Sequence, residues 1–299
     1  MVKYLILIIK GMGMGAADVV PGVSGGTIAF MTGIYEELIN SLKSIDHKAA
    51  SYLFKGKINL FWNHINGFFL LSVFSGILIS IFTIARVMQY LLVNHPIPLW
   101  SFFFGLITAS AIYILRDIGK WRFSHLFSLL IGAGIAAFIS FVTPGETTDA
   151  GWFVFISGMV AICAMILPGI SGSFILLLMG KYAFMMQAIK ELNIPIILIF
   201  ALGAATGLIA FSHFLSWLLK KYYKVTIALL AGFMGGSLIK VWPWKMESSL
   251  FEGLFKPVLP STYEAVTGLE SLLLYSLIFM IIGFALVFVI EFLAKAMHK

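Results

Sequence analysis

The sequence predicts an all-α polytopic membrane protein built from two inverted-topology repeats, each a re-entrant helical hairpin followed by three transmembrane helices. Three observations predict it. Of 299 residues, 61% are hydrophobic and only 11% charged, with a mean hydropathy of +1.02, whereas soluble domains carry roughly 25% charged residues. A Pro-Gly-x-Ser-Gly interruption of an apolar run occurs twice, in "DVVPGVSGGTIAFMTGIYEEL" from Asp18 and "MILPGISGSFILLLMGKYAFM" from Met165. Finally, the short loops alternate between basic and neutral or acidic, the pattern that sets membrane topology.

The elements follow from the repeat. Placing Pro21 on Pro168 aligns Ser24 with Ser171, Gly25 with Gly172, Gly33 with Gly180 and Tyr35 with Tyr182, at an offset of 147. After the insertion "SIDHKAASYLFKGKINLFWNH" the offset drops to 127, where Gly76 meets Gly203 and Gly105 meets Gly232. The first repeat, 1–147, reads as a hairpin over 3–42 and spans near 67–93, 99–115 and 124–142. The second, 148–299, reads as a hairpin over 151–190 and spans near 194–219, 225–241 and 271–294. Each run is long enough for a membrane helix of ~20 residues, or becomes so with a short extension. The N-terminal "MVKYLILIIKGMGMGAAD" is read as retained, because its apolar region is short and cleavage after Ala17 would cut into the motif.

Re-entrant hairpins leave three crossings per half, and the odd number inverts the second half. With the N-terminus cytoplasmic, "KSIDHKAASYLFKGK", "RDIGKWR", "KKYYK" and the tail "AKAMHK" all fall inside, while "NHPIP", "TPGETTDAG" and the long loop from Trp242 fall outside. The basic loops are the inside ones, which places both termini in the cytoplasm. A hairpin that crossed twice would leave the same parity, so the re-entrant reading rests on the Pro-Gly break.

Several function classes drop out. The net charge of +7 comes from lysines flanking spans and forms no basic stripe, so no nucleic-acid partner is expected. A single cysteine, Cys163, excludes an intrachain disulfide framework and a cysteine metal cluster. "GMGMG" follows no strand and no Gly-Lys-Ser/Thr run exists, which leaves no nucleotide fingerprint. The histidines, at 47, 64, 95, 125, 213 and 298, are scattered, and no nucleophile stands with an acid–base partner. No metal, no cofactor and no enzymatic activity are expected.

The chemistry concentrates at the two breaks. Pro21 lacks an N–H and clashes with the preceding turn, and Gly22, Gly25 and Gly26 permit close backbone approach. Ser24 and Thr27 are suited to cap the outgoing half-helix. Pro168, Gly169, Ser171, Gly172 and Ser173 repeat the device. A helix N-terminus at mid-membrane offers free N–H groups and partial positive charge, which is an anion site suited to phosphate. One such break alone reads better as a packing kink; two, facing each other across a pseudo-two-fold axis, read as a substrate site.

Ionisable residues inside spans are functional candidates. Arg86 aligns with His213 at the offset of 127. Arg86 is suited to a bidentate grip on phosphate and His213 to switching near neutral pH; the plainer alternatives are snorkelling and ordinary packing. Asp18, three residues before Pro21, stands as a proton or ion carrier or as an internal partner for Arg86.

"GAADVVPGVSGGTIAFMTGIYEELI", with the second "LPGISGS", resembles the signature of a bacterial membrane family of polyprenyl-phosphate transporters, and the resemblance covers essentially the whole chain. It implies a flippase that returns undecaprenyl phosphate from the outer to the inner leaflet of the cytoplasmic membrane. The residues alone imply less: an anion, phosphate by preference, carried by an inverted-repeat transporter. They leave a small soluble anion as the alternative cargo. On either reading Ser24, Gly25, Gly26 and Thr27 face Ser171, Gly172 and Ser173, with Arg86 and His213 supplying charge. Under the resemblance the partners are a polyprenyl-phosphate lipid and the bilayer.

Overall fold

The computed structural model describes residues 2–19, 23–142, 145, 147–247 and 255–297; Pro21 and Gly22, expected to break the first helix, lie outside them. The first half opens with α1 (Val2–Val19), α2 (Gly25–Met31) and α3 (Tyr35–Lys43), followed by two short helices, α4 (His47–Phe54) and α5 (Ile58–His64). Three long helices complete it: α6 (Gly67–Asn94), α7 (Pro96–Leu115) and α8 (Phe123–Phe141). The second half runs α9 (Gly151–Ile166), α10 (Gly172–Leu178), α11 (Tyr182–Lys190), α12 (Ile194–Lys221) and α13 (Tyr223–Val241). Strands β1 (Lys245–Glu247) and β2 (Phe255–Pro257), α14 (Pro260–Thr267) and α15 (Leu273–Met297) close the chain.

α6, α7, α8, α12 and α13 are each long and apolar enough to cross a membrane, and α10 with α11 adds a sixth candidate, bent by 108°. The protein is a helical, multi-pass membrane protein. The antiparallel pairing of β1 with β2, Met246 opposite Lys256, is the sole sheet among the described residues. It folds the long loop read as external, and nothing in the hydropathy announced it. Indole N–H groups pin that loop: Trp242 donates to the Val258 carbonyl at 2.8 Å and Trp244 to that of Ser271 at 2.9 Å.

Local rules set the boundaries. Proline occupies the first turn of α7, α12 and α14, where its missing N–H costs nothing. α2 and α10 end in the same Schellman motif, with Gly33 at φ +72° and Gly180 at φ +64°. Ile34 N–H reaches back to the Ala29 carbonyl at 3.0 Å, and Lys181 N–H to that of Leu176 at 2.9 Å, the same bond 147 residues on.

Packing repeats as the turns do. Without a hydrophobic drive between helices in lipid, close backbone approach through small residues is what joins them. A Cβ at Gly11 on α1 would strike the Val73 carbonyl of α6, and one at Gly76 that of Ile8. On α9 and α12 a Cβ at Gly158 would strike Phe200 and one at Gly203 would strike Phe155. Every residue of the second set lies 147 or 127 positions beyond its counterpart in the first.

The chain forms two compact units, and neither coincides with half the chain. Met1–Ala85 and Pro144–Thr226 form one; Arg86–Thr143 and Ile227–Lys299 form the other. The first holds both interrupted hairpins. In the second, α7 packs on α15 through Gly105 against Met280 and Gly283 against Phe102, and α13 packs on α8 through Gly232 against Leu129.

Candidate functional site

Both interrupted hairpins belong to the first unit, and each bonds directly to the other. The break after Ile166 leaves the last carbonyls of α9 without the N–H groups of a next turn, and such groups are costly in hydrocarbon. The first hairpin supplies the donors. The Ser24 hydroxyl stands 2.9 Å from the Met165 carbonyl and 3.2 Å from that of Leu167, and the phenol of buried Tyr35 donates to the Ile166 carbonyl at 3.1 Å. In return, Gly169 N–H donates to the Thr27 hydroxyl at 3.0 Å. Gly26 makes the approach possible, since a Cβ there would lie 2.5 Å from the Ile166 carbonyl oxygen.

The two outgoing half-helices start differently. α2 is capped twice: Ser24, extended at φ −122°, accepts from Gly26 N–H at 3.1 Å, and Asp18 Oδ1 accepts from Gly25 N–H at 2.7 Å. A carboxylate therefore already sits at the start of α2, where helix N-termini favour negative charge. At α10 the N-cap Ser171 caps no backbone N–H of the helix, and its hydroxyl pairs with that of Ser173 at 2.9 Å. Ser171 and Gly172 are buried and Ser173 is exposed. Met165 stands where Asp18 stands in the first repeat, so the second start has no carboxylate counterpart. Gly172 lies close against α9, where a Cβ would meet the Ala161 carbonyl oxygen at 2.6 Å.

Two candidates remain, His213 and Arg86. His213, half-buried on α12, lies with Nδ1 2.9 Å from the Ile209 carbonyl of its own helix. With a carbonyl as partner, Nδ1 must carry the proton, which leaves Nε2 as acceptor in the neutral ring. Arg86 is exposed on α6 and is the first residue of the second unit.

Three residues not singled out from the sequence do structural work on the hairpins. Tyr35 caps α9, as described, and its place in the aligned motif was the available signal. Lys10 donates to the Thr32 carbonyl at 2.7 Å, just beyond α2. Lys181, 1% exposed, donates to Asp149 at 2.5 Å and to the Thr147 carbonyl at 3.1 Å, with its ammonium over the rings of Phe153 and Phe184. Thr147 in turn donates to the Met179 carbonyl at 2.6 Å, so the connecting segment straps the end of α10. A lysine beside a glycine turn reads as a solvated loop residue, which is why it escaped notice.

Comparison with known proteins identifies the family. The model of a family described as undecaprenyl phosphate translocase-like matches residues 14–253. A polyprenyl-phosphate transporter of Vibrio cholerae is 47% identical over 298 residues, covering 97% of this chain and 96% of the relative. A polyprenyl-phosphate transporter of Staphylococcus aureus is 35% identical over 257 residues, covering 80% of this chain and 86% of the relative. No solved structure matches the chain. A match spanning both breaks and most of the helices between them places the chain in the undecaprenyl phosphate translocase-like family of membrane proteins.

Proposed function

We propose that the protein carries undecaprenyl phosphate across the bacterial cytoplasmic membrane, from the outer to the inner leaflet, with both termini in the cytoplasm. The names of the two relatives support the cargo, and the basic inner loops support the orientation. On this reading both hairpins are re-entrant and the two repeats are inverted. The phosphate binds at the tips, between Ser24, Gly25, Gly26 and Thr27 on one side and Ser171, Gly172 and Ser173 on the other. The polyprenyl tail stays in the bilayer. Arg86 and His213 contribute positive charge from the two repeats, and one repeat rocks against the other to expose the site alternately.

The observation that carries the proposal is the unequal capping of the paired tips. Asp18 closes the start of α2, while the start of α10 lacks a side-chain cap. Phosphate enters on the α10 side and competes with Asp18 for the Gly25 N–H as the tips exchange roles. Protonation of Asp18 would release that N–H, which couples a proton to the transfer.

The test uses the protein in liposomes containing undecaprenyl phosphate, with an impermeant phosphatase added outside. The expected result is hydrolysis of the whole lipid pool, against the outer-leaflet share in protein-free vesicles. Hydrolysis that stops at the outer-leaflet share, or flux of inorganic phosphate in place of lipid, overturns the proposal.

A further inference from the structure

The insertion that separates the two repeat offsets folds into α4 and α5, and it has the makings of a membrane-surface finger. The pair is tied internally at its base. Asp46 accepts the N–H groups of Lys48 and Ala49, each at 2.9 Å, and lies 3.0 Å from Nε2 of His64, whose ring meets Tyr52 edge-on at 5.7 Å. It is also tied to a span. Trp62 fills the space where a Cβ on Gly67 would sit and meets Phe68 edge-on at 5.7 Å, so α5 is held against the first turn of α6. Asn66, at φ +53°, turns the chain between them and donates to Glu37 at 3.0 Å. Two residues separate α5 from a helix apolar enough to cross the membrane, which fixes the pair at the level where that span begins.

What the pair presents is unusual for water. α5 has no buried residue and α4 buries only Ala49. Leu53, Phe54, Ile58 and Leu60 are all exposed, Phe54 at 89%. Between Phe54 and Ile58 the tip reads Lys55-Gly56-Lys57, with Gly56 at φ +66° making the turn, and Lys48 is exposed on α4. Asp46 is the sole acidic residue from 46 to 64, and it is committed to its cap. Apolar side chains beside unopposed lysines are the signature of a helix lying in the headgroup region of an anionic leaflet.

We propose that the α4–α5 pair docks on the anionic bilayer surface at the start of α6, with Leu53, Phe54, Ile58 and Leu60 in the interface and Lys48, Lys55 and Lys57 on lipid phosphates. It goes beyond the transport reading and does not depend on it. Each lysine at an anionic surface shifts the docked equilibrium roughly fivefold, and salt weakens the effect.

The test is depth measurement by a nitroxide at position 54 (Phe54→Cys in a Cys163→Ala background) on the full chain, one copy per nanodisc. The expected result in phosphatidylcholine with phosphatidylglycerol is a label accessible to oxygen and shielded from a water-soluble nickel complex. The shielding falls severalfold in phosphatidylcholine alone, in high salt, or in the Lys48→Gln, Lys55→Gln, Lys57→Gln triple variant, whose exposed substitutions leave the fold intact. A label equally open to nickel in both lipids overturns the proposal. So does shielding that needs added polyprenyl phosphate, or that arises only with two copies per disc, since these assign the face to the cargo or to a second copy.

Discussion

Thr27 and Gly169, one from each half of the chain, are joined by a hydrogen bond in which the buried glycine N–H donates to the threonine hydroxyl at 3.0 Å. Gly169 holds φ +85°, a conformation that costs a side-chain-bearing residue about 1–2 kcal/mol. The bond ties the two hairpin tips together at the point where both helices are broken.

Thr27→Val keeps the shape and removes the acceptor, leaving a buried N–H unpaired at a cost of roughly 1–3 kcal/mol. Thermal unfolding in nanodiscs should report that loss, and Thr27→Ser should stay close to the parent. Equal stability of the valine and serine variants would show that the bond contributes nothing.

Gly76→Ala and Gly203→Ala should destabilise by similar amounts, each pushing a methyl group into a carbonyl of the facing helix, with overpacking typically costing about 1–3 kcal/mol. Gly134→Ala, which meets no atom within 4 Å, is the control and should be neutral or slightly stabilising. The comparison is read from unfolding temperatures at matched lipid composition.

Arg86→Ala should abolish most lipid-phosphate transport while the protein remains folded in the membrane. Loss of one charge-assisted contact corresponds to roughly 1.5–3 kcal/mol, or about one to two decades in affinity. Arg86→Lys should rescue in part, because an ammonium does not offer two parallel donors to one phosphate. Uptake of surface-exposed undecaprenyl phosphate at matched protein levels is the measurement, and wild-type uptake in the alanine variant removes Arg86 from the site.

Asp18→Asn retains an oxygen for the Gly25 N–H and abolishes the charge. If the carboxylate carries the proton, the variant should transport with a flat pH profile while its unfolding temperature changes little. An unaltered pH profile in Asp18→Asn would assign the coupling elsewhere.

Asp46 gives a stability prediction outside the spans. Hydrogen bonds from the Ala49 N–H first, then from His64 and Lys48, hold its pKa down from 3.8 to about 2. A carboxyl depressed on folding contributes stability above its unfolded pKa and loses it as pH falls through the folded value. Amide exchange at Lys48 and Ala49 should therefore accelerate between about pH 4 and pH 2, beyond the intrinsic rate. Asp46→Ala should remove that dependence at a cost of about 1 kcal/mol to α4.

The helical architecture was legible because lipid imposes it: long apolar runs bounded by basic loops are what a bilayer demands of a spanning chain. The repeat was legible in glycines, and Gly76 with Gly203 shows why, since both are held by the same close approach to a partner carbonyl. The hydrogen bonds of the site were not. Ser24 reads locally as an N-cap, which it is, but its reach to Met165 spans 141 positions and leaves no trace in local pattern. Asp18 reads from the sequence as a proton or ion carrier or as a partner for Arg86, and its bond to the Gly25 N–H follows from no spacing rule. The α4–α5 segment was read only as a basic loop because its apolar residues do not form a continuous run.

The pairing of α7 with α15 has a consequence for how the protein is made. Gly105 is synthesised early, but the helix that covers it through Met280 is the last among the described residues. At roughly 5–20 residues per second, the segment from 116 to 272 occupies the ribosome for roughly 8 to 30 s. Throughout that interval the face of α7 around Gly105 lacks the helix that later covers it. Truncation anywhere before Leu273 would leave that face without its covering helix, so such chains should be less stable than the full chain.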